Sequence, residues 1–313
     1  DSEGRTPLMI AGGWVPTVPF FWDKCEGIKP LLDAGANVHA QDYNGRTPLM
    51  HALIQEADLE NIKLLMDAGA NAKTRDDNGW TTLMYAIDSE MGPDVVELLI
   101  DQGVDVNAIS KNDDTTLTLW SYDPDAANLK LLMDAGVDVQ ADEPAGEKIL
   151  TTAVRYKANP KAIKMLLDAG IPVDSSFLPS EVMWATMLVG FSALFKKDVS
   201  LERYQLTPLQ LETTRSDRGE SIEVLLDAGA NVNRKFHDDS TPLMHAASNG
   251  HEVDVIEKMI KAGANIHARD KKGRTVLTFA LMGEEVENSS LAFLIEEGAD
   301  VNATDSEGRR PLQ

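Results

Sequence analysis

The sequence predicts an all-α fold: a solenoid of stacked helix pairs, with a turn-rich finger before each pair and one helical insertion. Three observations predict it. The decapeptides "IKLLMDAGAN" at 62–71 and "IEVLLDAGAN" at 222–231 are nearly identical although 160 positions apart, which marks an internal repeat. The glycine of such stretches recurs at Gly35, Gly69, Gly103, Gly136, Gly170, Gly229, Gly263 and Gly298, in steps of 34, 34, 33, 34, 59, 34 and 35. A second marker follows each glycine after 12 residues, at Thr47, Thr81, Thr115, Lys148, Thr241, Thr275 and Arg310, except that Gly170 to Thr207 is 37. The period is about 34 residues, with 25 extra before Thr207 and seven extra in the first repeat, which opens at Thr6.

Each unit reads locally, in order. In "DYNGRTPLMHAL" the pair Asn44-Gly45 offers a turn and Thr47-Pro48 a helix start, where the missing N–H of proline does no harm. A short helix of small and apolar residues follows. In "LENIKLLMDAG" the residues Leu59, Ile62, Leu65 and Met66 share one face of a second helix, by their spacing. Gly69 ends it, since glycine accepts the left-handed conformation of a helix C-terminus. "ANAKTRDDNG" then runs as a polar loop to the next turn. One such pair cannot bury its apolar faces alone, whereas stacked neighbours can.

With its turn, its two helices and the "TPL" start, best seen in "STPLMHAASNGHEVDVIEKMIKAGANIH" at 240–267, the chain resembles the ankyrin-repeat family. The resemblance covers essentially all of it, as eight complete repeats and the opening of a ninth, and implies a single domain over 1–313. One departure recurs: the family's histidine after "TPL" is Met9, Met50, Met84 or Met244 here. That histidine links neighbouring repeats in the family, so apolar packing is expected to replace it. His51 and His245 come one position later and are not that histidine. Trp120 and Glu212 stand where other repeats carry Ala52, Ala86, Ala153, Ala246 or Ala280, which predicts local splaying or a shifted helix. The fifth unit has lost its Thr-Pro start, so its first helix is the least defined.

The net charge of −22 speaks against binding nucleic acid, whose phosphates need clustered Lys and Arg, and against anionic membranes. A basic partner fits it. Cys25 is the only cysteine, so neither an internal disulfide nor a cysteine zinc site is expected. A cytoplasmic setting is favoured, although an exported cysteine-poor protein would look the same. The chain opens on Asp1 rather than Met, which reads as processing or excision.

No convergent acid, base and nucleophile stand out, so no catalytic residue, cofactor or metal is predicted. "HEVDV" at 251–255 lacks the second histidine of a zinc-protease helix. His237, Asp238 and Asp239 could hold a divalent cation, but a solvated finger tip is the reading preferred. Periodic aspartates such as Asp33, Asp168 and Asp227 belong to the scaffold.

What varies inside a regular array is the better functional clue. The ankyrin resemblance implies a protein or peptide partner held on a concave face of finger residues and first-helix ends. The fingers supply Arg5, Tyr43, Arg46, Asp77, Trp80 and Asp114, then His237, Lys271, Lys272 and Arg274. The helix ends supply Ile54, Gln55, Asp88, Ser89, Tyr122, Arg155, Tyr156, Ser248 and Asn249. Trp80 and the tyrosines weigh most, because aromatic anchors dominate many interfaces; packing against the next finger is the alternative for Trp80.

Two insertions complete the reading. "GGWVPTVPFFWDKCEG" predicts an ordered loop in which Trp14, Phe20, Phe21 and Trp22 partly cover the N-terminal end of the stack, or else an aromatic partner site. "LPSEVMWATMLVGFSALFKKD" predicts a helix over 180–195 whose stripe of Trp184, Leu188, Phe191 and Phe195 packs back on the array, or else docks a partner. At 1.5 Å per residue it is too short to span a membrane. An enzyme or ligand sensor built on this 175–205 insertion is the alternative function. End-to-end assembly is another, suggested by "DSEGR" at both 1–5 and 305–309, against the expected monomer.

Overall fold

A computed structural model of the chain describes residues 1–11, 27–139, 149–175, 205–215, 219–283 and 288–310. The loop with Trp14, Phe20, Phe21 and Trp22 lies outside the described residues, as does the predicted 180–195 helix with Trp184, Leu188, Phe191 and Phe195. The chain divides into two compact units, Asp1–Pro144 and Ala145–Gln313. All regular structure among the described residues is helical, apart from isolated bridges that close two fingers, Arg75 to Thr81 and Ile109 to Thr115.

The first unit contains α1 (Pro7–Ala11) and α2 (Ile28–Asp33), α3 (Pro48–Ile54) and α4 (Leu59–Asp67), α5 (Thr82–Asp88) and α6 (Pro93–Asp101), and α7 (Thr116–Trp120) and α8 (Ala126–Asp134). In the second, α9 (Ile149–Arg155) precedes α10 (Pro160–Asp168), and α11 (Pro208–Thr213) precedes α12 (Glu220–Asp227). The pairs α13 (Pro242–Ser248) with α14 (Val253–Lys261), and α15 (Val276–Met282) with α16 (Asn288–Glu296), follow. Within each unit first helices pack on first helices and second helices on second helices. The alanines Ala52, Ala86, Ala153 and Ala246 have no exposed surface, which is what close helix approach requires.

Local chemistry sets the helix limits. The hydroxyls of Thr47, Thr81, Thr115, Thr207 and Thr241 accept the backbone N–H three residues on. Asp58, Asp125 and Asn159 do the same for α4, α8 and α10. Such caps satisfy donors that a helix start leaves open. Gly69, at φ +94°, closes α4 in a conformation that costs other residues strain.

The methionines after "TPL" do more than pack. Their thioethers accept the N–H of the capping threonine, at 3.3 Å for Met9 on Thr6, 3.5 Å for Met50 on Thr47 and for Met84 on Thr81, and 3.4 Å for Met244 on Thr241. Elsewhere Thr118 and Gln210 take that place with oxygen, at 2.8 and 3.0 Å. Apolar burial of these methionines is complete or nearly so, and a weak sulfur acceptor is added to it.

At Trp120 the outcome is a shortened helix. α7 has five residues against seven in α3 and α5, and Trp120 is its last, so the chain turns directly after the indole. The ring is 1% exposed and its Nε1–H donates to the Asp125 carbonyl at 2.7 Å. Glu212 stays inside α11, with its carboxylate 3.9 Å from Arg215. Arg215 reaches back to the C-terminus of α9, donating to the Val154 carbonyl at 2.7 Å and to that of Arg155. The fifth first helix forms from Ile149 without a Thr-Pro start.

Candidate partner-binding face

The fingers are rigidified by one recurring side chain. In five described fingers an aspartate accepts two backbone N–H groups on Oδ1: those of Glu3 and Arg5 on Asp1, of Asn44 and Arg46 on Asp42, and of Asn78 and Trp80 on Asp76. Asp270 and Asp305 repeat the pattern, at 2.8–2.9 Å. In the fourth finger Ser110 replaces the aspartate and its hydroxyl accepts from Asn112 and Asp114. Adjacent fingers are then stitched by backbone, Tyr43 N–H to the Glu3 carbonyl, Asp77 to Asn44 and Lys111 to Asn78 in the first unit. Lys271 to Asp238 and Ser306 to Lys272 do this in the second.

The second oxygen of each finger aspartate holds a side chain of its own repeat. On Asp42 it is His51 Nε2 at 2.9 Å, on Asp76 the Tyr85 hydroxyl at 2.7 Å, and on Asp1, Asp270 and Asp305 an arginine: Arg5, Arg274 and Arg309 at 2.7–2.8 Å. Burial alone would raise the Asp42 carboxyl, but the N–H groups of Arg46 and Asn44 and the His51 ring bring it below the usual carboxylate range. Burial also lowers His51, more than Asp42 raises it. The pair is therefore a neutral imidazole donating to a carboxylate.

His51, Tyr85, His245 and Phe279 occupy one equivalent position, four residues after the capping threonine, and sequence reading assigned them no role. The available signal was a large polar or aromatic residue after "TPLM" or its equivalent, nine residues after the finger residue it meets. His245 shows why composition misleads here. Ser240, Asp238 and His245 have triad residue types, but Asp238 accepts from the Ser240 hydroxyl and the imidazole meets that same hydroxyl at 2.8 Å. Ser240 is wholly buried, and the imidazole lies 4.1 Å from the Phe236 ring and 5.6 Å from Phe279. The three fasten a finger to a helix. Asp238 is spent on Ser240, and no group of three metal-ligating side chains occurs among the described residues.

The predicted face residues divide accordingly. Tyr43 is 76% exposed at its finger tip and Tyr122 50% exposed after α7. Ile54 and Gln55 are half-buried at the end of α3, and Asp88 is exposed at the end of α5. Arg46 is tied down: its Nε–H donates to the Tyr85 hydroxyl at 3.0 Å and its guanidinium lies 5.6 Å from that ring. Trp80 is half-buried, lies 5.1 Å from the Tyr85 ring at a tilt of 52° and donates its indole N–H to Asp114 at 3.0 Å. In the second unit Tyr156 is 45% exposed, Arg155 and Ser248 are half-buried, and Asn249 donates its side-chain amide to the Thr213 carbonyl. Partial burial, and then the like charge of Asp114, raise the Asp88 carboxyl above its ordinary value.

A family model described as ankyrin repeats, in three copies, matches residues 20–110 and 243–313, together just over half of the chain. Ankyrin repeat and SOCS box protein 6 of Homo sapiens is 33% identical over 108 residues, 33% of this chain and 25% of that protein. The protein of the same name from Pongo abelii is 32% identical over the same shares. The chain thus spans about a quarter of the length of these curated relatives. Among solved structures, the human ASB11 ankyrin repeat domain has a TM-score of 0.57 at 23% identity, over 82% of this chain and all of that one. The ankyrin repeat domain of Bcl-3, described as a unique member of the IkappaB protein family, has a TM-score of 0.52 at 20% identity, covering 81% and 99%. These two carry the fold alone. No helix among the described residues is long and apolar enough to cross a membrane.

Proposed function

We propose that this chain, which belongs to the ankyrin-repeat family, is a non-enzymatic module that holds a protein or peptide partner on the concave face of its fingers and first-helix ends. It is read as one domain over 1–313, with eight complete repeats and the opening of a ninth, acting as a monomer on a partner of basic character. The observation that carries the reading is a division of labour. At the clamp positions Asp42, Asp76 and Asp270 the side chains are spent on internal hydrogen bonds. At the tip and helix-end positions Tyr43 and Tyr122, identities vary from repeat to repeat and large rings stand in solvent, where an aromatic anchor gains most on burial.

The test is the double variant Tyr43→Ala with Tyr122→Ala. Both rings lie outside the core, so the melting temperature stays close to that of the parent. Affinity for a partner obtained by affinity capture falls about tenfold or more, the scale of a lost aromatic anchor. Unchanged affinity with a lowered melting temperature would refute the reading.

A further inference from the structure

One position on the face points to the chemistry of the partner. Immediately before the marker residues Thr6, Thr47, Thr275 and Arg310 stand Arg5, Arg46, Arg274 and Arg309 in four repeats. Three of them pair with their own finger aspartate, and Arg274 also lies 4.6 Å over the Phe279 ring and 3.8 Å from Met282, the helix-end residue of its repeat. The scaffold thus builds a guanidinium seat from a carboxylate, a ring and a helix-end side chain, a combination suited to that flat, weakly hydrated cation.

In the third and fourth repeats the arginine is missing: Trp80 and Asp114 stand in its place. The helix-end positions matching Met282 are Asp88 and Tyr122. Asp114 takes the Trp80 indole N–H and the Ser110 hydroxyl on Oδ2. Among the described residues neither Asp88 nor Asp114 lies within ion-pair distance of a Lys or Arg, and the charge that Asp88 feels is the like charge of Asp114. The unit around them, 1–144, holds 26 Asp and Glu against 9 Lys and Arg, a net −17 of the chain's −22. Two aromatic side chains and two uncompensated carboxylates occupy the places where other repeats keep their own arginine.

We propose that Trp80, Asp88, Asp114 and Tyr122 form the seat for an arginine side chain of a basic partner segment, whose guanidinium completes the arrangement that Arg274 makes internally. This rests on the concave-face reading and specifies its partner. The guanidinium meets Asp88 and Asp114 with its N–H groups and lies against the half-buried Trp80 ring, with Tyr122 as the far wall.

The experiment titrates an acetylated, amidated hexa-arginine peptide into the full chain at low ionic strength, by calorimetry, with circular dichroism confirming that each variant folds. Asp88→Asn with Asp114→Asn is expected to weaken binding about tenfold. Asp67→Asn with Asp101→Asn, the same charge change at two second-helix ends, leaves affinity within about threefold. Hexa-lysine is expected to bind more weakly than hexa-arginine. Equal losses in both double variants, no loss in either, equal affinity for hexa-lysine, or no binding of hexa-arginine would overturn the seat. Ile54→Trp, which fills the face beside the seat without changing charge, separates the two readings. If it weakens binding while the Asp88 and Asp114 variant does not, only the arginine seat falls. If neither has an effect, the concave-face reading falls for this probe as well.

Discussion

Tyr85 and His51 show how single side chains couple finger to helix, and each yields a stability prediction. Tyr85 donates to Asp76 and accepts from Arg46, so Tyr85→Phe leaves a buried carboxylate oxygen and a half-buried guanidinium without that partner. A loss of about 1–3 kcal/mol is expected in urea unfolding. His51 and His245 both have pKa values lowered by burial. As pH falls through the ordinary histidine value near 6.5, the unfolded chain takes up protons that the folded chain refuses, so stability declines on the acid side of that value. Asp42 and Asp238 are lowered too, and their contribution is lost further down, below about pH 4. The melting temperature is therefore expected to drop from pH 7 to pH 5, and a His51→Gln, His245→Gln variant to show a flatter drop. The threonine caps and Gly69 were legible in the sequence because their partners lie within a turn. The His51–Asp42 bond was not, because it joins residues nine apart that only the folded repeat brings together. Trp80 and Asn249 were legible as positions that vary from repeat to repeat, but not as groups already bonded to Asp114 and Thr213.

At the scale of the element, the 34-residue period fixed where helices start and stop, and α3 to α6 lie where the spacing puts them. α7 departs because an indole cannot fit where Ala52 and Ala86 sit, and the helix ends early to make room. Trp120 is wholly enclosed, so Trp120→Ala is expected to cost about 3–5 kcal/mol and to loosen the α7–α8 pair first. Hydrogen exchange in 116–134 checks this: uniform protection loss across the unit would contradict it. The methionine caps make a smaller contribution. Met50→Leu keeps the volume and removes the sulfur acceptor, so its expected cost is under about 1.5 kcal/mol in the same unfolding assay.

For the whole molecule, charge is the property that acts at a distance. A net −22 concentrated in residues 1–144 attracts a basic partner over roughly 10 Å at 0.1 M salt. The association rate is therefore expected to fall as salt rises, and a salt-independent rate would speak against steering. The acidic character was legible in the composition. Its concentration at Asp88 and Asp114 needed the repeat positions to be superposed, since each carboxylate means something only beside the arginines of the other repeats. The central claim, a partner held on the finger side, is tested most directly by hydrogen exchange of the full chain with and without captured partner. The account predicts protection in segments 43–55, 76–89 and 110–122, with α4, α6 and α8 unchanged. Protection confined to α4, α6 and α8, with those finger and helix-end segments unchanged, would contradict it.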